Sequence, residues 1–479
     1  MWWENAVIYQ VYVRSFQDSD GDGVGDLPGV TSRLNHIAEL GAQAVWLSPI
    51  YPSPDADYGY DVSDFRSVDP SYGTLADLDA LIARAHELGL RVLLDFVPCH
   101  TSTEHPWFRE HPEYYVWADE PPNNWRAAFG GSSWGRDEQT GRYFLHSFFP
   151  EQADLDWRNP EVRAEMTGAM RFWLDRGVDG FRLDALDRLM KDPQLRDDPP
   201  ATQTPVLPGD PADLEFDHVH SRNAPDLGDA LRAIRDAVGD ALLIGEVYLP
   251  VPEAAAYLGS LDVVFNFEAQ FAVGDPPKLR AAIESGLRHG GQGWVVSNHD
   301  FNRLATRAGT NARAVALLLF SMPGPVFVYQ GDELGFADAQ TVGPELDRHH
   351  RDGFRVPMIW DDDQPQGGFS AGEPWLAAAG EQPHGVRQQS EDPQSTLTLA
   401  RQVIALRDRL GSSAGQLLPS ADECVVIERD GYVAAVNLGA EDRPAPALDG
   451  AQLVLEARAG DGRDLSVIPA HGGWIAQRA

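Results

Sequence analysis

The sequence predicts an α/β protein built on a (β/α)8 barrel, with a subdomain inserted after the third strand and an antiparallel β domain at the C-terminus. Three features predict it. Eight short apolar runs rich in β-branched and aromatic residues recur along the chain, amphipathic stretches with helical spacing separate them, and one long segment rich in Trp, Tyr, Pro and Gly interrupts the alternation. Continuous apolar strands joined by helices imply a parallel sheet covered on both sides, and eight such units imply closure. An open doubly wound sheet is the alternative that the same alternation allows.

The apolar runs fall at 7–13, 44–50, 91–97, 180–184, 242–247, 263–267, 294–300 and 326–331. The intervening helical patterns include 75–88, 161–176, 226–238 and 277–287, each with apolar residues at three- and four-residue spacing. The interruption, 101–160, is too long for a plain loop and reads as a small subdomain over the barrel mouth. A second irregular segment, 336–392, carries many Gly, Pro and Asp residues and leads into a helical pattern at 397–410. Beyond it 424–427, 433–437 and 452–455 read as short strands. The expected division is a barrel over 1–100 and 161–411, the inserted subdomain over 101–160 and a C-terminal β domain over 412–479.

The chain has 479 residues, 43% of them hydrophobic, enough to bury a large core. Its 73 acidic against 38 basic side chains give a net charge of -35, which repels phosphate backbones and anionic lipid surfaces, so neither nucleic acid nor membrane is an expected partner. Only Lys191 and Lys278 are lysines, a bias that carries no mechanism by itself. Two cysteines, Cys99 and Cys424, are too few for a disulfide framework or a zinc cage, and the start, Met-Trp-Trp-Glu-Asn, lacks the basic region and apolar run of a secretory signal. A cytoplasmic protein acting as a monomer or homodimer is expected.

Catalytic groups of such a barrel stand at the carboxyl ends of its strands. Four runs end in polar residues: Asp95-Phe-Val-Pro-Cys-His100, Gly180-Phe-Arg-Leu-Asp184, Gly245-Glu-Val247 and Ser297-Asn-His-Asp300. A lone Asp at a strand end more often caps the next helix. Repetition on four strands, with Arg182 among them, favours chemistry, because so many charges are costly to desolvate unless they meet one another or a polar ligand.

These segments, together with Ala6-Val-Ile-Tyr-Gln-Val-Tyr-Val-Arg-Ser-Phe16, the acidic loop from Asp18, Tyr58-Gly-Tyr-Asp61 and Gln330-Gly-Asp-Glu-Leu-Gly335, make the chain resemble the α-amylase superfamily, glycoside hydrolase family 13, on its oligo-1,6-glucosidase and α-glucosidase side. The resemblance covers nearly the whole chain. It implies that Asp184 is the nucleophile, Glu246 the general acid/base and Asp300 the stabiliser of the transition state, with Arg182 holding Asp184 ionised and His100 and His299 bonding hydroxyls of the cleaved glucose. It also implies that Asp57 clamps the non-reducing glucose and Tyr60 stacks beneath it, with Arg351 or Arg355 pairing with Asp57. Phe148 is expected to add an apolar wall from the inserted subdomain, a purely structural core role being the alternative. Retaining cleavage needs one ionised and one protonated carboxyl, which fits these roles.

The loop Asp18-Ser-Asp-Gly-Asp-Gly-Val-Gly-Asp26 spaces oxygen donors at alternate positions, with Asp18, Asp20, Asp22 and Asp26 and the carbonyl of Val24. Hard oxygens at this spacing suit a structural Ca²⁺, with Mg²⁺ as the alternative. Cys99 stands where the family usually has asparagine, and a buried small apolar role is expected of it. The expected activity is a retaining exo-acting α-glucosidase releasing glucose from short α-1,4-linked oligosaccharides such as maltose, with transglucosylation as a side activity. The alternatives are an oligo-1,6-glucosidase, a sucrose- or trehalose-handling hydrolase or isomerase and, from a different class, a non-catalytic barrel used for partner binding.

Overall fold

The computed structural model of the protein describes every residue except 203, 208–213, 380, 381 and 412, so the first residue of the expected C-terminal domain lies outside the described residues. Eight parallel strands, Val7–Val11, Ala44–Leu47, Arg91–Phe96, Gly180–Leu183, Leu242–Gly245, Val263–Phe265, Gln292–Val295 and Val326–Tyr329, form one closed barrel with neighbours in chain order. Every residue of these strands is buried except Arg91. That is why their sequences run apolar without alternation. The closed barrel, rather than an open sheet, is the observed architecture.

The strands stop earlier than the apolar runs do. The run at 294–300 is a strand only over Gln292–Val295, and that at 263–267 ends at Phe265, where Asn266 leaves the ladder and its side chain caps the helix Phe267–Phe271 through the amide of Ala269. The first run gives way to a 3-10 turn at Val13–Ser15, and the eighth ends before Gly331, whose φ of 90° only glycine adopts readily. Asp184, Glu246 and Asp300 therefore stand just past the barrel strands, whereas Asp95 lies within Arg91–Phe96 and His100 begins a further short strand.

The expected helices are present at Leu75–Glu87, Pro160–Asp175, Leu227–Val238, Pro276–His289 and Thr396–Leu406. Side-chain caps start several of them: Asn159 bonds the amide of Glu161, Asp275 that of Lys278 and Ser395 that of Thr398.

By its contacts the chain groups into two compact units, one of residues 1–46, 83–91 and 266–479, the other of 47–82 and 92–265. The first holds an antiparallel sheet in the order Gln416–Leu417, Cys424–Arg429, Tyr432–Asn437, Gly472–Gln477, Gln452–Glu456. The strand Gly472–Gln477 carries two glycines and escaped the sequence reading, yet its Trp474 is part of the sheet's core with Cys424, Val426 and Val433. The second unit holds the inserted segment. There His100–Ser102 pairs with Gln152–Asp154, and Trp117–Ala118, Tyr143–Leu145 and Trp134–Arg136 form a three-stranded sheet over a core of Trp125, Trp134 and Leu145.

Candidate active site

In the second unit the site is organised around Arg182, a wholly buried side chain on the fourth barrel strand. Its Nη1 donates to Asp95 Oδ1 at 2.8 Å and to Asp184 Oδ1 at 2.6 Å, and its Nη2 lies 2.8 Å from Glu246 Oε2. Strand register produces this fork: Arg182 stands beside Asp95 on one neighbouring strand and beside Ile244, two residues before Glu246, on the other. The ladder continues one step past the strands, from the Asp184 amide to Phe96 O and from the Glu246 amide to Leu183 O. Burial alone would weaken Arg182's hold on its proton, but Asp95, Glu246 and Asp184 outweigh it and hold the guanidinium charged. Ala185, next to Asp184, takes a left-handed φ of 46°, and its amide donates to Glu246 Oε2 at 3.1 Å.

Around this fork the same unit gathers the residues expected to touch a sugar. Tyr60 donates its hydroxyl to Asp95 Oδ2 at 2.9 Å, while burial pushes Asp95 up to about 6. Asp57 sits on a tight loop whose shape comes from the buried Asp61, which accepts from the amides of Ala56 and Asp57 and from Ser53 Oγ. Gly59 in that loop has φ 103°, and a Cβ there would press on Pro49. Gln152 ties the group together, its Nε2 lying 3.0 Å from both Asp57 Oδ2 and His100 Nε2. His100 contacts the Tyr60 carbonyl at 3.0 Å, and burial lowers its pKa, so the ring is neutral. The ring of Phe148 is tilted against that of His100 with centroids 5.3 Å apart, and the Arg188 guanidinium carbon lies 5.5 Å from the centre of the Phe148 ring.

In the first unit a second charged group surrounds His299 and Asp300. Gln10 Nε2 donates to His299 Nδ1 at 2.8 Å, which leaves the proton on Nε2, 3.1 Å from Asp300 Oδ2. Arg351 donates to Asp300 Oδ1 at 2.9 Å and Arg355 does so at 3.3 Å. Both arginines also meet Asp347, through two bonds from Arg351 at 2.7 and 3.0 Å and a 3.7 Å approach from Arg355.

Residues 10–413 match the family model described as the alpha amylase catalytic domain. The chain belongs to glycoside hydrolase family 13, on its α-glucosidase side. It is a glycoside hydrolase. A probable alpha-glucosidase of Rhizobium meliloti (strain 1021) is 40% identical over 457 residues, covering 85% of this chain and 82% of that protein. An alpha-glucosidase of Culex pipiens is 35% identical over 491 residues, covering 92% and 82%. Among solved structures, the alpha-glucosyl transfer enzyme XgtA superposes with a TM-score of 0.91 at 35% identity over 100% of this chain and 99% of that one.

Within the two units, three residues that hold these charged groups in place were given no single role by the sequence. Asp95 was visible as a polar strand end, but Gln152 carried no assigned role and nothing in the sequence pointed to Asp347 as the partner of Arg351 and Arg355. Cys99 is buried as expected, and burial pushes its thiol pKa up, but it is not merely apolar: its Sγ donates to the Arg188 carbonyl at 3.2 Å.

In the acidic loop, carboxylate oxygens of Asp18, Asp20 and Asp22 lie within 4.8 Å of one another. Asp26 is not in that trio. Its Oδ1 accepts from Gly29 and caps the helix Leu27–Leu40, and its Oδ2 accepts from Ser19. Val24 is half-buried, and its amide donates to Asp22 Oδ1 at 2.8 Å. An all-oxygen trio of this size fits a hard cation.

Asp347 allows a test of this charge network. Burial alone would raise its pKa, but hydrogen bonds from Arg351 and the charges of Arg351 and Arg355 bring it down to about 2. A carboxyl with a depressed folded pKa stabilises the fold above its unfolded value, and that contribution is lost as the pH falls toward the folded one. Asp347→Asn should therefore cost about 2 kcal/mol at pH 7, with the gap to wild type narrowing between about pH 4 and 2. Urea midpoints across that range measure it, and a gap independent of pH would contradict the assignment.

Proposed function

We propose that the protein is a retaining, exo-acting α-glucosidase that releases glucose from the non-reducing end of short α-1,4-linked oligosaccharides, with transfer of glucose to other hydroxyls as a side activity. The observation that carries the reading is the buried Arg182 fork, which holds Asp184 and Glu246 on the two nitrogens of one guanidinium. Two acids bridged in this way favour the separation of about 5 to 5.5 Å used for double displacement over the wider gap that an inverting water needs.

In this mechanism Asp184 is the nucleophile. Its Oδ1 is engaged by Arg182, which keeps the carboxylate ionised, and Oδ2 attacks the anomeric carbon. Glu246 is the general acid. Its Oε2 already accepts from Ala185 and meets Arg182, so the proton it gives to the departing oxygen sits on Oε1. The same oxygen then takes a proton from water, or from an acceptor hydroxyl in the transfer reaction. Asp300 stabilises the oxocarbenium-like charge, oriented by His299, Arg351 and Arg355.

Asp57, Tyr60 and His100 would grip the terminal glucose, which makes the action exo. The ring of His100 supports this: its Nδ1 is buried with no hydrogen-bond partner among the described residues, a place a sugar hydroxyl fills. The acidic loop would hold a structural Ca²⁺ on Asp18, Asp20 and Asp22, with Mg²⁺ as the alternative. Two buried free cysteines and the absence of any described helix long and apolar enough to cross a membrane fit a cytoplasmic enzyme.

Asp184→Asn should fold normally and lose turnover by about 10⁴ or more, because an amide cannot form the glycosyl-enzyme intermediate. Retention of a tenth of wild-type activity on maltose would remove Asp184 from that role. Excess chelator should lower the thermal midpoint, since an ion bound only by the folded loop stabilises it by mass action; an unchanged melting curve and no calcium in the purified protein would dismiss the ion.

Linkage preference rests on Ala185, which is buried beside the nucleophile. A small side chain there leaves room for an α-1,4-linked second glucose, which lies nearer this wall than one swung out on the exocyclic carbon. Maltose should be hydrolysed faster than isomaltose, and Ala185→Val should shift the ratio toward isomaltose by roughly 1 to 3 kcal/mol. The variant also places a β-branched residue at a left-handed φ, so its thermal midpoint should fall as well. A wild-type preference for isomaltose would defeat the argument.

A further inference from the structure

A buried cluster shares His100 with the glucose-binding group, and the mechanism above uses none of its other members. Sγ of Cys99, a ring nitrogen of His100 and a carboxylate oxygen of Asp154 come within 4.8 Å of one another. A soft sulfur, an imidazole and a carboxylate so arranged would suit zinc. Here, however, the chain brings its own cation. The ammonium of Lys191 is ion-paired with Asp154 Oδ2 and lies 3.8 Å from Cys99 Sγ. Lys191 is one of only two lysines against 36 arginines, and the other, Lys278, is exposed on the surface. A compact ammonium fits between sulfur and carboxylate where a planar guanidinium would not.

We propose that Lys191 is a positioning residue for the glucose-binding side of the site, setting through Asp154 where Phe148 and His100 stand. The inference rests on the α-glucosidase reading above. Asp154 is wholly buried, and two of its hydrogen bonds lead toward that group. Its Oδ1 accepts from the Ser147 amide at 3.0 Å and its Oδ2 from the Ser147 hydroxyl at 2.7 Å, which fixes the residue just before Phe148. In the strand pair of the inserted segment Asp154 stands opposite His100. Two residues back on the same face, Gln152 reaches Asp57 and His100. Lys191 comes from the other direction, seven residues past Asp184 in the chain. One ion pair thus couples the segment after the nucleophile to the segment that carries Phe148.

The coupling does not touch Asp184 or Glu246, which Arg182 holds. Its loss should therefore weaken sugar binding and leave the chemical step alone. A salt bridge that only stabilised the fold would lower the melting temperature and change neither constant well below it.

The test uses the purified full chain and a 4-nitrophenyl α-glucoside. Lys191→Met should raise KM about tenfold, as expected for lost contacts worth one hydrogen bond, with kcat within about threefold and both limbs of the pH profile unmoved. Ser147→Ala, which cuts the arm to Phe148 and leaves the buried ion pair in place, should raise KM in the same way with little change in melting temperature, and decides the matter alone if Lys191→Met does not fold. Lys191→Met with Asp154→Asn removes both charges and should recover melting temperature but not KM. The proposal is overturned if Ser147→Ala keeps the wild-type KM, if kcat falls in place of a rise in KM, or if the double variant recovers KM together with stability. Absence of wild-type turnover on any α-glucoside would instead overturn the proposed function, which keeps the two failures apart.

Discussion

The guanidinium of Arg182 is the constraint on which the catalytic half of this structure depends. A cation with a wholly buried side chain is tolerable only because three carboxylates surround it, and Asp95, Asp184 and Glu246 are tolerable together only because it stands between them. Removing the cation would leave three acids facing one another in a dry site. The arrangement is in turn a statement about register. Arg182 meets Asp95 directly across one strand pair and Ile244 across the other, and a slip of one residue would send its side chain to the opposite face of the sheet. Closed, fully buried strands make such a slip prohibitively costly, so the barrel's apolar runs and its charged fork enforce one another.

The same device recurs where charge has to be placed without water. Around Asp300, Arg351 and Arg355 are held by Asp347, an acid that takes no part in the proposed chemistry. In the inserted segment Lys191 neutralises Asp154, and Asp154 orders the turn that carries Phe148. Each cluster pairs an outer charge with an inner one and hands an oriented group to the site. Hydrogen bonding rather than apolar packing decides the positions of Asp57, Tyr60 and His100 as well, through Asp61, Asp95 and Gln152.

Much of this was legible in the chain. Strands buried on both faces have to be apolar at every position, so the eight runs were visible without any knowledge of their partners, and the polar residues closing them could be read as site residues. The ends of the strands were less visible. An apolar run continues past the point where hydrogen bonding stops, as at Val11, Phe265 and Val295, because the loop leaving a barrel strand is still buried. Gly472–Gln477 was invisible for the opposite reason: two glycines and a terminal glutamine dilute a strand whose burial comes from its neighbours.

What the sequence determined by itself was the kind of chemistry and the elements that carry it, since periodicity, capping residues and acids at strand ends are local properties of the chain. The tertiary structure alone decided which charges meet. Asp95 and Arg182 are 87 residues apart, Gln152 and Asp57 are 95 apart, and no local pattern relates them. Even the short step from Asp347 to Arg351 gains its meaning only when Asp300, 51 residues from Arg351, takes the remaining bond. Pairing energies of buried charges depend on distance and desolvation in three dimensions, and those quantities exist only once the strands have found their register.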